Sequence, residues 1–277
     1  MLWTEKYRPT KLMHVVGQSN FVLDAEHWVT NQEMPNVLLY GVAGVGKTAA
    51  ALSLANDMLG DDVKANFFEI NASDDRKLET VRTRIKEIAS TSKIGEAPFK
   101  IILLDEMDGM TRDAQNALKR IMERYADNCR FIITCNDRHK IIHPLISRCA
   151  NYSFKRLNND AIRNVIFDVL EKERVTHISE DDLEIFIGSL HGDLRRGLTE
   201  LQAAVSSKSS LLNMIDKQLM PYTELLELVN NNEYTNAVEK VHNLLYDSVE
   251  MKAICVGLHD TIIKTDMTHG EKFKLLR

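Results

Sequence analysis

Short apolar runs alternate with amphipathic stretches from about residue 36 to 153. NVLLY is followed by TAAALSLANDML, NFFEI by DRKLETVRTRIKEIAS, and KIILLDE by TRDAQNALKRIMERY, and RFIITCN closes the series. Four or five consecutive apolar residues are what a strand covered on both faces looks like, so the pattern predicts an α/β unit built on a parallel sheet. After NYSF, at 151–154, the strand-like runs stop. LNNDAIRNVIFDVLEKERV carries apolar residues at helical spacing behind an Asn/Asp start, ISEDDLEIFIGSL repeats the pattern with Ser179 as its cap, and DLRRGLTELQAAVSS supplies a third helix. The remainder, roughly 209–277, is also helical by periodicity, with Pro221 near the start of one helix and Gly257 inside or ending another. The expected division is an α/β domain over 1–153, a small helical domain over 154–208 and a second helical domain over 209–277.

Composition narrows the class. At 277 residues and 44% hydrophobic, the chain is long enough for two or three domains with ordinary cores. No apolar run approaches the length that spans a bilayer, and the start, MLWTEKYRPT, is too polar for a secretory signal, so a soluble intracellular protein with no membrane partner is expected. That means cytoplasmic in a prokaryote or its virus, nuclear in a eukaryote. The four cysteines, Cys129, Cys135, Cys149 and Cys255, form no C-x-x-C pair and have no matching His spacing; they read as free thiols, with neither a zinc site nor a disulfide framework. A net charge of −5 argues against a surface coated for nucleic acid, although a local basic stripe can still bind it.

GVAGVGKT fits the phosphate-loop pattern G-x-x-x-x-G-K-[ST], with Gly41, Gly46, Lys47 and Thr48 at the defining positions, a strand before it and a helix after it. The glycines let the backbone N–H groups of Gly41, Val42, Ala43, Gly44, Val45, Gly46, Lys47, Thr48 and Ala49 wrap toward phosphates. Lys47 reaches the outer phosphates and Thr48 completes a Mg²⁺ shell. ATP with Mg²⁺ is the expected ligand.

KIILLDEMD puts Asp105 and Glu106 where a buried strand runs out. On its own, such a pair reads as acids opening the next helix. Beside a phosphate loop it reads differently: the carboxyl ends of neighbouring parallel strands line one crevice, so Asp105 can hold Mg²⁺ through water and Glu106 can act as general base on the attacking water. RFIITCN ends in Asn136 at the same edge, which suits either a positioning amide or a turn-forming Asn before Asp137.

These pieces resemble the AAA+ ATPases, and further motifs narrow the match. WTEKYRP at 3–9 followed by VVGQ at 15–18 looks like the N-terminal box of the small subunits of replication factor C, the sliding-clamp loader of archaea and eukaryotes. LISRC at 145–149 resembles that family's Ser-Arg-Cys motif and GDLRRGLTELQ at 192–202 its sensor-2 helix. NASDDR, AQNALKRIME and RFIITCN fall in the expected order, and the likeness covers about residues 2–205. It implies an AAA+ P-loop fold with a parallel sheet, a helical lid and a short helical collar.

Carried over residue by residue, the resemblance implies that Tyr7, Arg8, Pro9, Val16 and Gly17 lie near the adenine. It implies that Asn136 is sensor 1, that Arg195 is sensor 2, and that Arg148 is an arginine finger supplied to a neighbour's nucleotide. A guanidinium keeps its charge and donates a planar fork to an oxyanion, which suits that task; a lone surface Arg otherwise forms an ion pair of little worth. The basic stripe holding Arg76, Arg82 and Lys86, together with Arg112, matches helices that follow the template backbone without reading sequence, whereas residue pattern alone favours a solvated charged helix. Ile121, Met122 and Tyr125 match a clamp-facing region, although core packing is the stronger reading for each one alone. The implied partners are a sliding clamp, primer–template DNA and other loader subunits in a pentamer with a large subunit.

The chain departs from the family in two places. Met107 stands in the acidic motif where Ala is usual, with both carboxylates kept. The chain ends at Arg277, earlier than family members do, so a reduced collar is expected. Two other readings remain: a helicase or helicase loader, which predicts a translocation loop absent from the sequence pattern, and a non-hydrolysing structural subunit, against which the intact Lys47, Asp105, Glu106 and Arg148 speak.

Overall fold

The computed structural model describes residues 1–72, 79, 81–207, 211–246 and 251–264. Five strands form one sheet: β1 Asn36–Tyr40, β2 Phe67–Asn71, β3 Lys100–Asp105, β4 Cys129–Cys135 and β5 Cys149–Ser153, in the order β2-β3-β4-β1-β5. Every neighbouring pair is parallel. The apolar runs of β1, β3 and β4 occupy its centre because both faces are covered. Leu38, Ile102, Leu104, Phe131 and Ile133 point into one core layer, while Val37, Leu39, Ile101, Leu103 and Ile132 point into the other. Each such side chain contributes about 1.5–3 kcal/mol by leaving water, so the register of the central strands is strongly fixed.

Helix Lys47–Leu59 covers one face, burying Ala50, Ala51, Leu54, Ala55 and Met58 at helical spacing. Helix Arg112–Arg124 covers the other with Ala114, Leu118, Ile121 and Met122, and Thr111 caps it by accepting the Ala114 N–H at 3.3 Å. The buried side chain of Gln115 ties this helix to its surroundings. Its amide donates to the Met110 and Lys140 carbonyls at 3.1 and 3.0 Å, and its oxygen accepts the Ile142 N–H at 2.9 Å.

The chain divides into two compact units, one of Met1–Glu173 with Leu190–Glu200, the other of Arg174–Ser189 with the chain from Leu201 on. In the first, Asn158 caps helix Asn159–Lys172 by accepting the Ala161 N–H at 2.9 Å, as the Asn/Asp start predicts. In the second, the Ser179 hydroxyl accepts the Asp182 N–H at 3.1 Å ahead of helix Glu180–Ser189, and helices Leu211–Asn230, Tyr234–Tyr246 and Met251–Lys264 follow. Pro221 lies inside helix Leu211–Asn230 rather than near its start, because the apolar periodicity of LLNMIDKQLM continues the helix upstream.

Among the described residues, no helix is long and apolar enough to cross a membrane.

Candidate functional site

The parallel register brings the candidate residues together. Tyr40 pairs with Cys135 and Leu104 with Ile133, so β1, β3 and β4 run out side by side. A cleft opens at this edge. Its lining comprises the loop from Ala43 to Ala49, the strand-end residues Asp105, Glu106, Thr134, Cys135 and Asn136, and the N-terminal Tyr7, Arg8, Pro9, Val15 and Val16. Thr4, Glu5, His14, Leu157, Val165, Leu194, Arg195 and Leu198 complete it, and all of these belong to the first unit.

The loop needs its glycines. Gly44 has φ +79, and a Cβ there would come within 2.1 Å of an Asp193 carboxylate oxygen. At Gly41 a Cβ would come within 2.2 Å of the Phe154 carbonyl oxygen. Lys47 and Thr48 then begin a helix with no side-chain cap, which leaves its first N–H groups for an acceptor from outside the chain.

Lys47 is a buried cation. Its Nζ donates to the carbonyls of Gly41 and Val42 and to Asn136 Oδ1, each at 2.8 Å. Burial pushes its pKa below the usual lysine value, with nearby acids such as Asp105 opposing that shift only in part. Neutral oxygens therefore stand where an anionic oxygen would compensate the charge better.

Thr48 donates its hydroxyl to both oxygens of Asp105, at 3.0 and 3.1 Å, and the Thr134 hydroxyl donates to the same carboxylate. A hydroxyl beside a carboxylate is a donor set that fits Mg²⁺, which takes one or two protein oxygens and keeps water and phosphate for the rest. Glu106 is exposed and left-handed at φ 54, and its N–H donates to Thr134 Oγ1 at 3.1 Å. That turn redirects the backbone after Asp105, so the two acids do not simply alternate as along a strand. Asn136 is anchored through its own N–H, which reaches Asp108 Oδ1 at 3.4 Å.

At the apolar end, Tyr7 donates its hydroxyl to Glu173 Oε1 at 2.7 Å, and Lys6 donates to the same oxygen at 2.7 Å. Burial, then the bond to Glu173, raises the phenol pKa; the two donors hold the Glu173 carboxyl below its usual range. Val16 lines the cleft. Gly17 lies in the turn before helix Ser19–Asn31, outside the lining, and Gly41 and Val42, also outside it, accept from Lys47 through their carbonyls.

Arg195 is exposed and lines the cleft from helix Leu194–Ser207, whereas its neighbour Arg196 pairs with Glu200 at 2.7 Å. Arg148 does not line it. It is exposed just after helix His143–Ile146, donating from Nη1 to the Pro144 carbonyl at 2.6 Å and pairing through Nη2 with Glu123.

Of the basic residues expected to follow DNA, Arg76 lies outside the described residues and Arg82 falls in the π-helical turn Val81–Ile85. Lys86 opens helix Lys86–Ser90 and Arg112 opens Arg112–Arg124, both exposed. Lys86 shares a groove with Arg120 and Arg124. Ile121 and Met122 follow the stronger of their two readings: both are buried in the core, because they fall on the face of the helix that covers the sheet, and Tyr125 is half-buried.

Sequence reasoning did not single out Thr134, Asp193, Glu173 or Glu123. Thr134 had a signal, as the hydroxyl-bearing residue in the buried run FIITC. Asp193 had one too, as an Asp directly before an apolar-periodic helix, where its carboxylate accepts the Arg196 N–H at 3.0 Å. Glu173 and Glu123 act through tertiary contacts that no local pattern announces.

The family model described as "ATPase family associated with various cellular activities (AAA)" matches residues 37–157, the stretch from β1 to Leu157 of the cleft lining. The chain is 37% identical to the replication factor C small subunit of Methanococcus maripaludis strain C6, over 99% of this chain and 89% of that protein. It is 40% identical to the subunit of that name from Archaeoglobus fulgidus over 99% of this chain and 88% of that protein, and 46% identical to the one from Methanosarcina barkeri over 73% and 61%. Among solved structures it is similar to Thermotoga maritima RuvB, a Holliday junction branch migration motor, at a TM-score of 0.64 and 14% identity over 82% of this chain and 80% of that one; at that identity the likeness is one of fold. With relatives of this identity along nearly its whole length, and the phosphate loop and acidic strand end meeting in one cleft, the chain belongs to the replication factor C small-subunit family of AAA ATPases.

Proposed function

We propose that the chain is an ATP-driven subunit of a clamp loader, which helps open a sliding clamp and place it on primer–template DNA. One observation supports this reading above the others: the cleft gathers the nucleotide-binding groups of the chain while Arg148 stands outside its lining, tied to Glu123 and Pro144. A cleft lined by Arg8 and Arg195 but not by Arg148 is suited to take that further arginine from a neighbour. Hydrolysis then reports on assembly.

In this reading Tyr7, Arg8, Pro9 and Val16 enclose the base, and the loop from Ala43 to Ala49 presents its N–H groups to the phosphates, the Gly41 N–H being held by the Cys135 carbonyl at 3.2 Å. Lys47 exchanges the Asn136 oxygen for a phosphate oxygen, since a buried ammonium gains more from an anionic acceptor than from an amide. Asn136 is thereby free to orient the outer phosphate or the water. Thr48 and Asp105 would hold Mg²⁺, which supplies Lewis-acid neutralisation of phosphate charge when bound. Glu106 takes the proton of the attacking water, and Arg195, from the proposed lid over 154–208, closes on the nucleotide. Arg148 of one subunit stabilises charge on the phosphoryl group held by the next.

Lys86 and Arg112, with Arg76 and Arg82 on the same stretch of sequence, would follow the DNA backbone, weakly in one chain and with avidity when several subunits repeat the stripe. ATP works here as a difference in binding between two assembly states, with the region from 209 on as the collar that joins a pentamer containing a large subunit. The testing experiment is an ATPase assay of the assembled protein with clamp and primed DNA added separately and together. Turnover should rise most when both are present; turnover indifferent to the clamp overturns the loader reading, and strand separation without a clamp would favour a helicase.

A further inference from the structure

Arg148 is exposed, yet two anchors fix its guanidinium. Nη1 donates to the Pro144 carbonyl at 2.6 Å, and Nη2 pairs with the Glu123 carboxylate, 25 residues away in sequence. Both anchors stand on well-fixed elements. Glu123 follows Ile121 and Met122, which are buried in the core, so the helix that carries it cannot roll. Pro144 follows the strand-to-helix segment whose Ile142 N–H is held by the buried Gln115 of that same helix. Behind Arg148, Asn151 braces the turn by donating to the Ile146 carbonyl at 3.0 Å.

A guanidinium has five N–H donors in one plane. Two point at Pro144 and Glu123, and the plane they define leaves the other donors for an acceptor on a second molecule. A flexible arginine on a surface loses side-chain entropy when it engages a partner; one held by a bidentate local frame has already lost it. An ordinary exposed ion pair is worth little for stability, but here the pair would act on geometry, where a displacement of about 1 Å can cost a hundredfold in rate.

We propose that Glu123 is a positioning residue for the reaction in the neighbouring subunit: its carboxylate, with the Pro144 carbonyl, holds the Arg148 guanidinium in the orientation in which it meets the neighbour's triphosphate. The proposal rests on the reading of Arg148 as a finger acting in trans. It assigns Glu123 no contact with nucleotide, so its loss should lower turnover without changing nucleotide affinity.

The test compares E123Q, E123D, R148A and E123Q/R148A in the assembled loader with clamp and primed DNA, measuring kcat and KM for ATP and the Kd of a fluorescent ATP analogue. Thermal melting of each variant checks the fold. E123Q should lower kcat by roughly tenfold to a hundredfold with Kd within about twofold of the unmodified protein, E123D should recover part of the loss, and E123Q/R148A should be no slower than R148A alone. If R148A is impaired while E123Q turns over normally, or if the two losses multiply in the double variant, the positioning role is wrong and the finger stands. If R148A itself turns over normally, the finger reading fails and the role of Glu123 with it.

Discussion

Thr48 donates its hydroxyl to both oxygens of Asp105 at 3.0 and 3.1 Å, which closes the phosphate loop onto the end of β3. The hydroxyl of a loop residue and the carboxylate of a strand end thus occupy one spot, and the proposed Mg²⁺ would enter there. Asp105→Asn keeps the shape and the hydrogen bond but removes the charge. Its turnover should fall by roughly a hundredfold or more. Titration calorimetry should show nucleotide affinity in EDTA close to that of the unmodified protein, and the strengthening on adding Mg²⁺ gone. An unchanged Mg²⁺ effect would place the metal elsewhere.

Gly44→Ala tests the loop from the other side. The added methyl would meet the Asp193 carboxylate at 2.1 Å, and alanine disfavours φ +79. Backbone strain of this kind costs about 1–3 kcal/mol, so the variant should melt at a lower temperature. It should also lose the upward shift in melting temperature that ATP gives the unmodified protein, because the loop cannot both relieve the clash and keep its N–H groups aimed at phosphate. A variant that melts lower yet keeps the full ATP-induced shift would show that the cradle tolerates the change.

Much of this was legible in the sequence, for identifiable reasons. The apolar runs NVLLY, KIILLD and RFIITC could be read as doubly covered strands because burial on both faces removes the alternation that a half-exposed strand keeps. Lys47, Thr48, Asp105 and Asn136 could be placed at one edge because a parallel sheet ends its strands together. What was not legible lies in tertiary contact or in backbone torsion. Glu106 adopts φ 54, a conformation that residue type does not announce, and its N–H finds Thr134 across the sheet. Ile121 and Met122 were ambiguous since helical spacing alone does not say whether an apolar face meets a core or a partner; the sheet took them. Glu123 and Arg148 form their pair across 25 residues, beyond any local rule.

The thiols should differ sharply in reactivity. Burial pushes Cys129 up to about 11, and Cys135 and Cys149 each up to about 12; the neighbouring Arg148 offsets only part of that rise at Cys149. A raised thiol pKa keeps the unreactive S–H form through neutral and moderately alkaline pH, and the thiolate is the nucleophile. Cys255 is exposed. Iodoacetamide at pH 8 followed by peptide mass analysis should therefore label Cys255 first, with the other three reacting only when the protein is unfolded. Fast labelling of Cys149 in the folded protein would mean that the strand end it occupies opens readily.

The composite site makes a prediction that a self-contained ATPase cannot meet. Lys47→Ala should abolish nucleotide binding but leave Arg148 on its surface; Arg148→Ala should keep the cleft intact but lose the finger, lowering turnover on the order of a thousandfold. Each variant alone should be nearly inactive. Mixed in equal amounts in assemblies where copies of this chain adjoin, they create some interfaces in which an intact cleft faces an intact finger, roughly a quarter of the interfaces between copies by random assortment. Turnover should return to about that fraction of the unmodified level, and it should depend on protein concentration as the subunits assemble. If Arg148 instead served its own cleft, every copy in the mixture would still lack either Lys47 or Arg148, and mixing would restore nothing. Recovery of activity from two inactive proteins would thus locate the finger in the neighbour, and its absence in a verified mixed assembly would place the missing charge in the same chain.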